Sequence, residues 1–218
     1  MATLQDILYS VNSYLDLEFA LPAGAELSTR VNFADQAVKD AASLYRFKEF
    51  ETLHYPSTST LMSVTLPTNF RELTSSPAVM DSSSTFKAYP QVRLEEIADN
   101  INKDNDFCYL LGNDMEGHTL IFHNLDANAT LAIQYQRFPS GLATLTDIVE
   151  LADPEYVKQK VISYVLQSRS DDRFPQAEAD AQRRLQNMVG RQMIQPKGGV
   201  NRTPTNQRFV MGEDSARR

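Results

Sequence analysis

The fold is decided by residues 138–193, which contain the segment DPEYVKQKVISYVLQSRSDDRFPQAEADAQRRLQNMVGRQM at 153–193. Asp153 followed by Pro154 is typical of a helix start, because aspartate can accept a free backbone amide and proline fits the first helical position. Apolar side chains then recur at helical spacing as far as Val165. After a polar break at 169–172, Pro175 can begin a second helix. We therefore predict a helical hairpin.

The second helix of this hairpin is predicted to have one apolar and one charged face. On the charged face, Asp180 is spaced to pair with Arg183 and Arg184 at i+3 and i+4. The apolar stripe consists of Ala177, Ala181, Leu185, Met188, Val189 and Met193.

The N-terminal part of the chain predicts two more helices. Thr3 and Asp6 have the spacing of a capping box, and an apolar stripe follows from Leu4 to Leu15. Ser28 or Thr29 is expected to cap the longer second helix. The apolar positions of this second helix are Val31, Ala34, Val38, Ala41 and Tyr45, with Leu44, Phe47 and Phe50 on an adjacent face.

Such a wide apolar surface has two explanations, burial in the core of the same subunit or contact with another copy. The first is the commoner outcome. As candidate subunit-contact residues on the predicted helices we take Val38, Tyr45, Phe47, Phe50, Leu185 and Met188.

The middle of the chain changes from helical to strand periodicity after Pro56. Met62 to Leu66 alternates and predicts a strand, the Ser-rich stretch 75–84 predicts an exposed loop, and 94–101 predicts a short helix. Three further strands are predicted at 107–111, 118–122 and 130–138, and the short connections between them favour an antiparallel meander. The fold class is therefore α+β, with a bundle of N- and C-terminal helices, an inserted antiparallel β module and an extended C-terminal arm.

The predicted domain boundaries follow from these patterns. Residues 1–55 and 139–194 form one helical domain, 56–138 the β-rich module and 195–218 a flexible arm. The arm carries five basic and two acidic residues, net +3, so the remainder of the −7 chain is −10. An apolar trio inside this polar arm favours docking onto a partner over an accidental pattern. The candidate docking residues are Arg202, Arg208, Phe209, Val210, Met211, Arg217 and Arg218.

Composition excludes several classes of protein. A net charge of −7 argues against general affinity for nucleic acid, and no apolar run reaches membrane-spanning length. Residues 1–11 lack a signal-peptide pattern, so secretion by that route is not expected. The single cysteine, Cys108, excludes an intrachain disulfide and is expected to be a small core residue.

No catalytic, metal-binding or cofactor-binding motif stands out. Asn102, Asp104 and Asp106 have the spacing of a calcium loop, but Phe107 occupies the position that needs glycine, so a polar turn is the better explanation. His118 and His123 are five residues apart and would lie on opposite faces of one strand. We therefore expect no enzymatic activity, no metal and no cofactor.

The order of segments resembles the head-to-tail adaptor (connector or upper tail-tube) proteins of tailed bacteriophages. The resemblance is carried by the junction VTLPTNFREL (64–73), by the strand at 131–135 followed by Phe138–Pro139, by the helix start at 153–156 and by the closing helical hairpin. It covers about residues 3–193, although the stretch 68–105 is more elaborate than in the simplest helical members.

This resemblance implies a structural virion protein that joins capsid to tail. Members commonly form a ring of twelve copies beneath the portal protein, with a downstream tail or nozzle protein on the other side. Genomic DNA would pass through the lumen without sequence-specific binding. The expected location is the neck or tail of the virion, and the host cytoplasm during assembly, with no membrane partner.

Two other functions remain open from the sequence. The chain could be a tail-completion or baseplate structural protein. It could also be a non-viral ligand-binding or hydrolytic protein with its site in the β module, although no convergent polar groups indicate such a site.

Overall fold

The computed structural model describes residues 2–16, 20–56, 62–80, 86–113, 117–125 and 129–194. These residues form helices and antiparallel sheets, as expected of an α+β fold. The helices are α1 (Leu4–Leu15), α2 (Ala25–Leu44), α3 (Ile97–Asn102), α4 (Pro154–Ser168) and α5 (Phe174–Ile194). The strands are β1 (Glu51–His54), β2 (Ser63–Thr65), β3 (Phe70–Leu73), β4 (Ala78–Met80), β5 (Phe86–Ala88), β6 (Phe107–Asn113), β7 (Gly117–His123) and β8 (Thr130–Arg137).

The predicted hairpin of α4 and α5 is confirmed. Asp153 caps α4 by accepting the backbone amide of Glu155 at 3.1 Å, and Pro154 is the first helical residue. On α5, Asp180 pairs with Arg183 at 2.6 Å, whereas Arg184 lies 3.9 Å from the carboxylates of Asp153 and Glu155. The predicted pairing of Asp180 with Arg184 is therefore wrong, because the start of α4 provides Arg184 with other acidic partners.

Helix α1 begins as predicted, whereas the start of α2 differs from the prediction. Thr3 and Asp6 form the predicted capping box. Helix α2 begins earlier than expected, after Gly24, whose φ of +61° suits glycine. The hydroxyls of Ser28 and Thr29 donate to carbonyls one turn back, so both residues lie inside the helix and do not cap it.

Helix α2 also ends before the aromatic residues that were assigned to its face. Tyr45 is extended, and the guanidinium of Arg71 donates to the carbonyl oxygens of Ala42, Ser43 and Tyr45. A cation at the carboxyl end of a helix satisfies carbonyls that have no partner in the helix and favours termination there. A residue of β3 therefore fixes the end of α2.

The helices α1, α2, α4 and α5 share one hydrophobic core with the segment 142–151. Segment 142–151 packs on the start of α1, where the amides of Leu4 and Gln5 donate to the carbonyls of Asp147 and Leu145. The largest fully buried side chains of this core are Leu4, Leu8, Phe47, Phe50, Tyr156 and Ile162.

A buried arginine joins two of these helices, α1 and α2. Arg30 of α2 is 1% exposed and donates to Asn12 at 2.5 Å, to Asp16 at 2.8 Å and to Glu26 at 2.7 Å. Arg169, which follows α4, reaches the same two carboxylates at 2.8 and 3.1 Å. Two cations and two anions therefore connect the ends of α1, α2 and α4.

The strands form two antiparallel sheets. In the first sheet the order is β1-β8-β4-β5, with β3 also paired to β8, and in the second it is β2-β7-β6. The hairpin of β6 and β7 is confirmed, but β8 joins the other sheet, so the predicted three-stranded meander is wrong. Strand β1 was not predicted, and β4 lies inside the predicted loop 75–84. Both are short and depend on pairing with β8.

A second hydrophobic core lies between the sheets. Its members include Phe70, Cys108, Leu120, Leu131 and Ile133, all at most 1% exposed. Phe50 of the helical core also contacts the first sheet, since its ring lies 5.7 Å from the guanidinium of Arg137 on β8. Arg137 in turn pairs with Glu150 at 2.8 Å.

Candidate interaction surfaces

The polar groups that could suggest chemistry are used in structural contacts. Within the described residues, no group of three or more His, Cys, Asp or Glu side chains is arranged to hold a metal ion. Asp104 accepts a hydrogen bond from Asn124 at 2.9 Å, and Asp106 pairs with Lys87. His123 stacks on Phe107, with ring centroids 5.0 Å apart.

The sulfur of Cys108 is fully buried and lies 3.5 Å from the carbonyl oxygen of Tyr89. Burial raises the pKa of its thiol to about 12, because the thiolate would lose its hydration. Since the thiolate is the reactive form, this cysteine is not suited to nucleophilic chemistry.

A partly buried cluster of polar groups joins α4 to α5. Lys160 contacts both carboxylate oxygens of Glu178 at 2.7 and 2.9 Å, and the hydroxyl of Ser163 donates to the same carboxylate at 2.6 Å. Burial opposes ionisation of Glu178, but hydrogen bonds from Lys160, Ser163 and Gln182 outweigh it and hold its pKa below the usual value. The carboxylate is saturated by these donors, so the cluster connects helices and leaves no free base.

A groove of about 480 Å³ lies between α2 and the segment 142–145. It is lined by Leu27, Ser28, Val31, Asn32, Leu142, Ala143, Thr144 and Leu145. None of these side chains is ionisable, so the groove offers no acid or base for hydrolysis.

Five of the six candidate subunit-contact residues are unavailable for that role. Val38, Phe47, Phe50, Leu185 and Met188 are at most 3% exposed and belong to the helical core of their own subunit. The prediction of subunit contact is therefore wrong for them, since the four helices and segment 142–151 already cover their apolar faces. Tyr45, at 36% exposed, remains on the surface.

The candidate docking residues of the arm cannot be placed. Arg202, Arg208, Phe209, Val210, Met211, Arg217 and Arg218 lie outside the described residues. The point at which the arm begins is nevertheless defined by the end of α5. There the side chain of Gln192 accepts the backbone amide of Lys48 at 3.3 Å and donates to Glu49 at 2.6 Å.

Two exposed apolar surfaces were not predicted. The first, which we call the β1 surface, consists of Leu53 and Tyr55, at 49% and 63% exposed. Strand β1 pairs with β8 on one side and, within the described part of the chain, with no strand on the other. An open strand edge with apolar side chains is a common site of pairing with another chain.

The second, which we call the α3 surface, consists of Leu94, Ile97 and Ile101. Leu94 is 59% and Ile101 48% exposed, and neither α3 nor the 3₁₀ turn before it has a buried residue. The spacing i, i+3, i+7 places the three side chains on one face. This spacing was visible in the sequence, but only the tertiary structure shows that Leu94 and Ile101 are left exposed while Ile97 is partly covered.

Comparisons with known proteins identify no family for this chain. No protein-family model matches it, and no curated protein matches it significantly. Of the described helices, none has the length and apolar character needed to cross a membrane.

Proposed function

We propose that the chain is a structural assembly subunit of a virus particle, working through its surfaces and not through catalysis. The supporting observation is the order of the elements. Helices α1 and α2 precede the strands, α4 and α5 follow them, and all four helices share one hydrophobic core. This order favours a helical bundle built from the predicted ranges 1–55 and 139–194, into which the β module is inserted, although β1 at 51–54 pairs with β8 and so belongs to the β module.

More particularly, we propose a head-to-tail adaptor that forms a ring, of twelve copies by analogy with the family it resembles, beneath the portal protein. A downstream tail or nozzle protein would bind the opposite side of the ring. The charge distribution supports this role, because the chain outside the arm has a net charge of −10. Carboxylates lining a central channel would repel the phosphates of passing DNA and prevent it from adhering.

The arm, residues 195–218, is the proposed portal-docking segment. It would leave the helical part beside Lys48 and Glu49, where α5 ends. Its basic side chains can pair with carboxylates of an acidic groove, while Phe209 and Met211 fill apolar pockets. The arm would then contribute affinity without requiring the folded part of the chain to change.

The test is binding of the full-length protein to the portal protein of the same virus. We expect Phe209→Asp combined with Met211→Asp to weaken binding at least about tenfold, which corresponds to about 1.4 kcal/mol. Val200→Asp, also in the arm but outside the apolar trio, is the matched control and should bind normally. Unchanged binding of the double variant would contradict the docking role.

Imaging of assembled particles tests the location independently. The proposal expects copies of this chain at the junction of capsid and tail. A position at the distal end of the tail would favour the tail-completion or baseplate alternative instead. Absence from the particle, together with turnover of a small molecule, would favour the ligand-binding or hydrolytic alternative.

A further inference from the structure

We infer that the apolar trio of the arm, Phe209, Val210 and Met211, docks on the open edge of β1 in the same chain, as an added strand against the β1 surface. The inference rests on the proposed function, because it gives the portal-docking trio a second site within its own subunit. The trio must leave this site before it binds the portal, so the contact regulates portal binding.

Helix α5, from which the arm continues, ends beside the start of β1. The side chain of Gln192, near the end of α5, accepts the backbone amide of Lys48 and donates to Glu49. Strand β1 begins at Glu51, two residues after Glu49. The arm therefore starts within a few residues of a strand whose outer edge is open.

Helix α5 and strand β8 approach this part of the chain from opposite sides. The carbonyl of Phe47 and the amide of Lys48 belong to one trans peptide, so they point in opposite directions. The carbonyl accepts the side-chain amide of Gln136 on β8 at 2.6 Å. The amide donates to Gln192 on α5 at 3.3 Å. At this peptide, the start of the arm lies across the chain from β8, the strand that already pairs with β1.

The connection between α5 and the trio is long enough to place the trio along β1. Residues 195–208 can span up to about 45 Å when extended. Strand β1 has four residues and is therefore about 13 Å long. A segment tethered at this length has an effective concentration on the order of 1 mM at a site in its own chain. This tethering favours the trio of the same copy over the trio of another copy.

The edge of β1 offers the groups that an added strand needs. Among the described strands, only β8 pairs with β1. In such an antiparallel pair, every second residue of β1 directs its N–H and C=O away from β8. No lysine, proline or bulge within Glu51–His54 discourages further pairing. Leu53 and Tyr55 are the exposed apolar side chains along this edge.

The trio has the sequence pattern of a strand that fits this edge. Residues 205–211 contain no proline, so each can donate its N–H to a neighbouring strand. In an extended segment, Phe209 and Met211 share one face, since they are two residues apart. They can therefore pair with Leu53 and Tyr55, which have the same separation in the chain. One contact would cover two apolar segments of the subunit.

Docking on β1 makes portal binding a competition for the trio. The apparent dissociation constant for the portal rises as the fraction of released arms falls, so an arm that is docked about nine-tenths of the time binds the portal about tenfold more weakly. Release of the trio from β1 would thus be part of assembly.

Disulfide trapping in the full-length protein tests the contact. Leu53→Cys combined with Met211→Cys should form an intrachain disulfide at least about tenfold faster than the matched control, Leu53→Cys with Val200→Cys, at about 1 μM protein. Without docking, the shorter connection to residue 200 would close at least as fast. Equal or faster closure of the control would overturn the inference. So would disulfides between chains instead of within one chain, because they would make a second copy the occupant. Cys108 is buried and unreactive in both proteins.

Hydrogen exchange tests the same contact without added cysteines. In full-length Phe209→Asp, Met211→Asp protein, the amides of β1 that point away from β8 should exchange at least about tenfold faster than in the wild type. Val200→Asp is the matched control and should exchange like the wild type. Unchanged exchange of β1 in the double variant would overturn the inference.

Portal binding tests the regulatory consequence. Leu53→Glu combined with Tyr55→Glu blocks the β1 surface, and circular dichroism establishes that this variant folds like the wild type. It should bind the portal protein more tightly than the wild type, because its trio is always released. Equal or weaker binding would overturn the regulation. If neither protein binds the portal, the proposed docking role fails, whereas trapping and hydrogen exchange still decide the contact within the chain.

Discussion

Removing the two carboxylates that hold Arg30 is expected to destabilise the protein more than removing Arg30 itself. In the double variant Asp16→Ala, Glu26→Ala, the guanidinium of Arg30, which is 1% exposed in the wild-type protein, keeps Asn12 as its one remaining side-chain acceptor. A buried charge that loses its partners costs about 3–5 kcal/mol. For a chain of 218 residues this corresponds to a fall in Tm of roughly 6–20 °C.

Arg30→Met should cost less because it removes the buried charge and keeps the length of the side chain. The carboxylates left behind are 30% and 52% exposed, so water can solvate them, and Arg169 still pairs with both. We expect about 1–2 kcal/mol, mainly from the lost charged hydrogen bonds. The assay is urea unfolding followed by circular dichroism at helical wavelengths, with the m-value checked for each variant.

The order of the two effects tests the reasoning. A matched control is Asp180→Ala, which removes an exposed partner of Arg183 and should change stability by less than about 1 kcal/mol. If Arg30→Met is more destabilising than the double variant, the buried charge is not what makes the carboxylates important, and the argument is refuted.

Two further predictions concern substitutions of two separate glycines and the stability of the protein in acid. Gly112→Ala should destabilise the β6–β7 hairpin by more than about 1 kcal/mol, because the φ of Gly112 is +102° and the new Cβ would lie 2.0 Å from a backbone oxygen. Gly190→Ala is the matched change in α5. Its new Cβ meets open space, so it should stabilise the protein by up to about 1 kcal/mol. Equal effects in urea unfolding would contradict this. The pKa of Glu178 is lowered in the folded protein, so its ionisation stabilises the fold above the unfolded pKa of about 4.3, and that stability is lost as pH falls through the lower folded pKa. Glu178→Gln should therefore be less stable than wild type at pH 7 but lose less stability between roughly pH 5 and pH 3; parallel pH profiles of the urea midpoint would contradict this.

Local sequence patterns determined the helices that carry their own start signals. The capping box of Thr3 and Asp6 and the Asp153–Pro154 pair each act within a few residues, so α1 and α4 begin where the sequence predicts. The β6–β7 hairpin was also predictable, because alternation and a tight connection are local properties.

Long-range contacts decided what the local patterns left open. The end of α2 depends on Arg71, which is 26 to 29 residues away in the chain, and β1 and β4 exist because β8 pairs with them. The same apolar spacing also has opposite outcomes in different places. Leu185 is buried in the helical core, whereas Ile101 is left at the surface, because burial depends on which elements pack together and not on spacing along one helix.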